Sequence, residues 1–162
     1  MSRLPEDNNV LSSTSSPFLG HALEIDYPCM SPEYVPEILG SCNGLVCIES
    51  SSESIFIWNP ATREYKTLPK ALIGYPSADM KGADYRFLYG FGFDCKNDDY
   101  KVLRMVDVEV AKVSEARVYS LRSNSWKILG FVPYDLSFSK TNGILLNGVL
   151  HWVATVWCYC LL

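Results

Sequence analysis

Three turn signals, spaced about fifty residues apart, constrain this chain more than any other feature. Asn43-Gly44, Asn97-Asp98-Asp99 and Asn147-Gly148 follow one another at steps of 54 and 50 residues. An apolar run follows each: Leu45 to Ile48, Tyr100 to Val106 and Val149 to Ala154. Asn-Gly is what a two-residue hairpin needs, because both central residues take positive φ. A repeat near fifty residues is the period of kelch-type propeller blades.

Between the turns, helical periodicity is nearly absent. Short alternating or apolar runs replace it: "GLVCI", "SIFIWN", "FLYGFGFD", "YKVLRMV", "ARVYSL", "SWKIL", "GILL" and "VLHWVA". Each predicts a strand of ordinary length. A second alignment supports the repeat. "IFIWNPATREYKTLP" lies over "ARVYSLRSNSWKILG" at a constant offset of 61, matching Trp58 to Tyr119, Tyr65 to Trp126 and Lys66 to Lys127. One whole unit follows: Gly90 to Asp94, Tyr100 to Val106, Ala116 to Leu121 and Ser125 to Gly130. Four antiparallel strands make one propeller blade. The fold class expected is all-β, a partial kelch-like β-propeller of about two and a half four-stranded blades.

The motifs inside this pattern have structural readings. Asn59-Pro60-Ala61-Thr62 is a hairpin turn begun by a proline-fixed φ. Trp58 and Tyr65 flank that turn, with packing between blades expected of both. Gly90 and Gly92 sit in a strand where a neighbouring backbone can approach closely. Trp126 and Trp152 belong to strands, and His151 faces opposite to Leu150 and Trp152.

Composition narrows the function classes. Charged residues make up 20% of the 162, and the net charge is −4 with Lys and Arg scattered. That disfavours a nucleic-acid partner, which asks for a basic stripe. No apolar run reaches the length of a membrane span, and the polar start "MSRLPEDNNV" lacks a signal core. The expectation is a cytoplasmic or nuclear protein. Cys29, Cys42, Cys47, Cys95, Cys158 and Cys160 are read as free thiols, since their spacing is wrong for zinc. A kelch-type metal oxidase is the rival from a different class. It needs converging His, Tyr and Cys ligands, and the chain has only His21 and His151. Asp98, Asp99, Asp107 and Glu109 read as a solvated loop and strand face rather than a calcium site. No catalytic residue, metal ligand or cofactor is assigned.

The ordered set "GSCNGLVCI…IFIWNPATREYKTLP", "YGFGFDCKNDDYKVLRM", "ARVYSLRSNSWK" and "NGVLHWVA" resembles the F-box-associated domain of plant F-box proteins. That kelch-like module includes the S-locus F-box-like proteins of the rose family. The resemblance covers residues 38–154, with an irregular segment at 1–37 and an apolar, off-pattern tail at 155–162. It implies a domain that captures a target protein for a Skp–cullin–F-box ubiquitin ligase, and no catalysis of its own. A Skp-type adaptor is implied only where an F-box is present. "RLPED" lacks the helical pattern that an F-box needs, so the expectation is a fragment without one. The alternative expectation is a non-functional truncated product. Loops carry recognition on a rigid propeller. The two long polar excursions, Ile73 to Asp84 and Asp107 to Glu115, therefore supply the candidate contacts Tyr75, Asp79, Lys81, Asp84, Glu109 and Lys112. The target itself is unknown.

Overall fold

The computed structural model of the chain describes residues 34–51, 54–72, 85–108, 113–132, 134–135 and 142–156. All regular structure among them is β. The first sheet is a meander of β1 (Glu37–Cys42), β2 (Leu45–Ser51), β3 (Ser54–Trp58) and β4 (Tyr65–Thr67), paired in that order. The second is β5 (Tyr85–Asp94), β6 (Asp99–Val108), β7 (Val113–Ser120) and β8 (Ser125–Val132). A two-residue strand β9 (Tyr134–Asp135) pairs with β12 (Thr155–Val156). Between them, β10 (Ile144–Leu146) and β11 (Val149–His151) form a hairpin.

The turns follow from local chemistry. Asn43 and Gly44 have φ of 48° and 80°, and Asn147 and Gly148 have 51° and 76°. Positive φ at both central residues twists the hairpin in the sense of its strands. The middle turn is longer. There the Asp94 carboxylate accepts from the Lys96 amide at 3.1 Å and the Asn97 amide at 3.3 Å, and Asp98 has φ of 50°. Asn59 works similarly between β3 and β4. Its Oδ1 accepts from the Ala61 amide at 3.0 Å, and Arg63 closes the turn at φ of 61°. Side-chain acceptors of this kind replace the backbone partners that a tight turn lacks.

β5 shows how two neighbours are recruited. Phe87, Tyr89, Phe91 and Phe93 alternate with Leu88, Gly90, Gly92 and Asp94. Successive side chains point to opposite faces, so one face of the strand is aromatic and the other nearly bare. The aromatic face meets the first sheet. Leu39, Cys47, Ile55, Ile57 and Leu68 join Tyr89, Phe91, Val102 and Tyr119 in one buried cluster. The bare face meets the third hairpin. A Cβ at Gly90 would lie 2.7 Å from Trp152 Cζ2, and one at Gly92 would lie 2.8 Å from Leu145 Cδ1. Leu88, Met105 and Ala116 form the buried cluster on that side, with Trp152 against it.

The three leading strands run in one sense. Gly40 of β1 lies against Phe91, while Glu37 reaches the Tyr89 backbone through Asn142. Gly143 donates to the Tyr89 carbonyl at 2.6 Å, while Leu145 lies against Gly92. Both series climb together with β5. Parallel leading strands, each opening an antiparallel meander, are the geometry of neighbouring propeller blades. The molecule is a partial β-propeller.

Several expectations need revision. β5 begins at Tyr85, five residues before the expected Gly90. β6 extends to Val108 and β7 begins at Val113, so Asp107 and Glu115 belong to strands rather than to a loop. Asp99 and Asp107 stand near opposite ends of β6, about 26 Å apart at 3.3 Å per residue, and form no cluster. Asp99 is also buried, not solvated. The strand expected over Val149 to Ala154 leaves the β10 ladder after His151. Trp152 instead lays its ring on Gly90 and Gly143. Trp58 is buried with Ile48 and Phe56 on the face of the first sheet turned away from the second, because it follows the inward Ile57 by one residue. Tyr65 is 52% exposed on the outermost strand, edge-on to Phe56. Both lie on the face of the first sheet turned away from the second.

Candidate interaction surface

The two ends of the sheets differ in kind. Where β1, β5 and β10 end, short turns close the structure. At Asn43-Gly44, Asn59–Arg63, Cys95–Asp98, Leu121–Asn124 and Asn147-Gly148 the chain reverses within a few residues. The opposite end, where those strands begin, receives the β2–β3, β4–β5 and β6–β7 connections. Toward that end the space between the sheets turns from apolar to ionic.

A polar row crosses the second sheet there. Tyr89, Arg104 and Arg117 are cross-strand neighbours on β5, β6 and β7, so their side chains share a face. Arg104 is 7% exposed. Its Nη1 donates to the Ala71 carbonyl at 2.7 Å, and its guanidinium centre stands 4.5 Å from the centre of the Phe87 ring. That is cation–π range. Among the described residues, its Nε is buried without a hydrogen-bond partner. Burial lowers the Arg104 pKa, with Arg117 adding to the effect. Arg117 is itself held by an ion pair with Glu115.

The first sheet answers with acid. Glu37 and Glu49 are direct cross-strand partners on β1 and β2, a like-charge pairing that costs stability. Glu49 is 8% exposed and accepts from the Tyr89 hydroxyl at 3.4 Å. Burial and the Glu37 charge push its carboxyl above the ordinary range. Hydrogen bonds from Tyr89 and Tyr34 and the charge of Arg104 only partly oppose that. Burial and Glu49 likewise raise the Tyr89 phenol. Asn142 ties the array to the third hairpin, donating to Glu37 at 2.8 Å and accepting from the Tyr89 amide at 3.0 Å. Such an array can order backbone and side chains and present charge at its margin.

Trp126 secures the segment that passes between the sheets. Its Nε1 donates to the Pro69 carbonyl at 2.7 Å, and its ring packs 5.4 Å from Tyr119. His151 is exposed on β11. Among the described residues, no three His, Cys, Asp or Glu side chains gather to hold a metal ion. Tyr75, Asp79, Lys81, Asp84, Glu109 and Lys112 lie outside the described residues.

A family model, the F-box associated beta propeller domain, matches residues 4–161. The chain belongs to that family. This F-box-associated domain is 34% identical over 135 residues to the F-box protein CPR1 of Arabidopsis thaliana, covering 72% of the chain and 32% of that protein. It is 31% identical over 147 residues to the F-box protein At4g22390, covering 80% and 36%. With the F-box/kelch-repeat protein At3g23880 it shares 33% over 124 residues, covering 74% and 32%. Both of these are also from Arabidopsis thaliana. The chain spans about a third of the length of these relatives. No solved structure matches it.

Reasoning from sequence passed over Glu49, Arg104, Glu115 and Arg117. The signal was present. Arg104 and Arg117 interrupt the apolar runs "YKVLRMV" and "ARVYSL" at positions in phase with buried Val102 and Tyr119. A charged residue in an inward phase marks a polar core.

Proposed function

We propose that this chain is the target-recognition domain of an F-box protein. It selects a protein for a Skp–cullin–F-box ubiquitin ligase, in the cytoplasm or nucleus. The Skp-type adaptor binds through an F-box elsewhere in the whole protein, and the chain itself binds without catalysis. The observation that carries this reading is the F-box-associated family match over residues 4–161.

The geometry favours one end for the task. The end where the polar row lies is the one at which β4 ends, β5 begins, β6 ends and β7 begins. Tyr75, Asp79, Lys81, Asp84, Glu109 and Lys112 are therefore the contacts we propose. Loops carried by a paired, buried frame can vary without loss of the fold. In the frame beneath them, Arg104, Arg117 and Glu49 are buried within paired strands.

The test uses the tagged 162-residue chain in a plant extract. We expect a specific protein to be retained by the wild type and lost when Lys81 and Lys112 are both reversed to Glu. Fusing the chain to an F-box should then direct ubiquitination of that protein in a reconstituted ligase. Retention without ubiquitination by the fusion would refute the ligase role. Retention unaffected by the loop substitutions would refute the loop assignment.

A further inference from the structure

A cleft at the opposite end of the sheets has no part in that reading. It has a volume of about 350 Å³ and lies between the β5–β6 turn and the β10–β11 hairpin. Its origin is the bare face of β5. On the aromatic face, the same end is filled by Phe91 stacked 5.8 Å from Tyr100, with Cys42 and Leu45 against them. On the bare face, Gly92 offers no side chain, and the atoms nearest its position are those of Leu145. The space beyond is left open.

The two walls differ chemically. Leu145 and Leu150 make one wall apolar. Lys96 and Lys101 stand on the other. Lys101 is engaged by Asp99 at 3.0 Å. The Asp94 carboxylate on the rim is occupied by the Lys96 and Asn97 amides and by Asn97 Nδ2 at 2.7 Å. Lys96 has no carboxylate within ion-pair distance among the described residues. In a chain of net charge −4, this is an uncommitted ammonium beside an apolar wall.

We propose that this cleft binds a short peptide segment of a protein partner, seating an apolar side chain against Leu145 and Leu150 and a neighbouring carboxylate on Lys96. An apolar body and an anionic end together match both walls. Neither a basic peptide nor a purely apolar one does. The cleft stands open between turns that carry positive φ at Asp98, Asn147 and Gly148. Preformed sites of this kind spare the ligand the ordering cost of closing them.

The probe is the peptide acetyl-Asp-Leu-Leu-Asp-amide, with acetyl-Lys-Leu-Leu-Lys-amide as its control, titrated into the isotopically labelled full chain and followed by amide chemical shifts. We expect the acidic peptide to shift the amides of Gly92, Lys96 and Gly148 with a dissociation constant on the order of 1 mM or tighter. Lys96→Glu, a fully surface change, should weaken it about tenfold. Gly92→Leu should abolish it by filling the cleft. If Gly92→Leu does not fold, Leu150→Lys, placed on the other wall, serves in its place. Absence of shifts with the acidic peptide, equal shifts with the basic one, or binding unchanged in Lys96→Glu overturns the proposal. The extract experiment stands apart: a target retained equally by wild type and Lys96→Glu leaves the target-recognition role intact while the peptide titration decides the cleft.

Discussion

Strands β5 to β7 of the second sheet are buried on both faces, yet by opposite means. Toward the first sheet, the second projects rings, Phe91 and Tyr119, into a cluster with Leu39, Cys47 and Ile57. Toward the third hairpin it withdraws, offering Gly90 and Gly92, and the partner supplies the bulk through Trp152 and Leu145. Both solutions remove apolar area from water. They fail differently. Interlocking rings resist truncation, because each removed atom leaves a void. A glycine floor resists enlargement, because the space already belongs to another chain segment. The faces also differ in charge. The first buries Glu49 and Arg104 without an ion pair between them, whereas on the second Asp99 is satisfied by Ser120 Oγ at 2.6 Å, the Arg122 amide at 2.9 Å and Lys101.

Four tests would break or sharpen this contrast. The largest effect is expected on the ring face. Phe91→Ala should cost about 3–5 kcal/mol in urea-induced unfolding. A loss under about 1 kcal/mol would mean that the cluster is loosely packed.

On the glycine face, Gly90→Val should cost about 1–3 kcal/mol. The cost should shrink in a Trp152→Ala background, since the added methyls then occupy vacated space. Equal cost in both backgrounds would show that backbone effects, not Trp152, make glycine necessary there.

The turns come next. Asn43→Ala and Asn147→Ala should each cost about 1 kcal/mol, because alanine pays for a positive φ. Asn→Gly at either place should be close to neutral. Asn147 guards only a short hairpin, so unequal costs at the two turns would measure how far the third hairpin folds together with the sheets.

The smallest effect is one of slope. The Glu49 carboxyl holds its proton more tightly in the folded chain. Its contribution is complete below the ordinary glutamate range and is lost as pH rises through the raised value. Asp99 is the reverse. Burial pushes it up, but the Ser120 hydroxyl, the Arg122 amide and Lys101 bring it below the ordinary aspartate value. Its contribution is present above that ordinary value and is lost as pH falls through the lowered one. In thermal melts, Glu49→Gln should flatten the decline on the alkaline side of the glutamate range. Asp99→Asn should flatten the decline in acid. The same flattening from both variants would contradict the opposed roles of the two faces.

Much of the frame could be read directly. "CNGL" and "LNGV" mark hairpins because a positive φ is an energy local to two residues, and the structure adopts it at both. The four strands of the second sheet are visible as alternating runs, and only their ends move, by up to five residues. Those shifts arise because β5 and β6 pair over ten residues, which no local signal measures. The excursion read as a loop from Asp107 to Glu115 contracts for the same reason. The polar row was harder to see. Arg104 is one of 14 Lys and Arg residues in the chain, and nothing in its neighbours says that Ala71 will accept from it.

The division therefore follows range. Turn type and strand phase belong to the sequence itself, since each is decided within a handful of neighbouring residues, and the family pattern is an ordered string of such local signals. Which face of β5 meets which neighbour was decided only on folding, as were the burial of Glu49 against Tyr89 and the cleft left at Gly92. Each of these depends on a residue brought from about forty to sixty positions away, and desolvation acts on a side chain only after that partner has arrived.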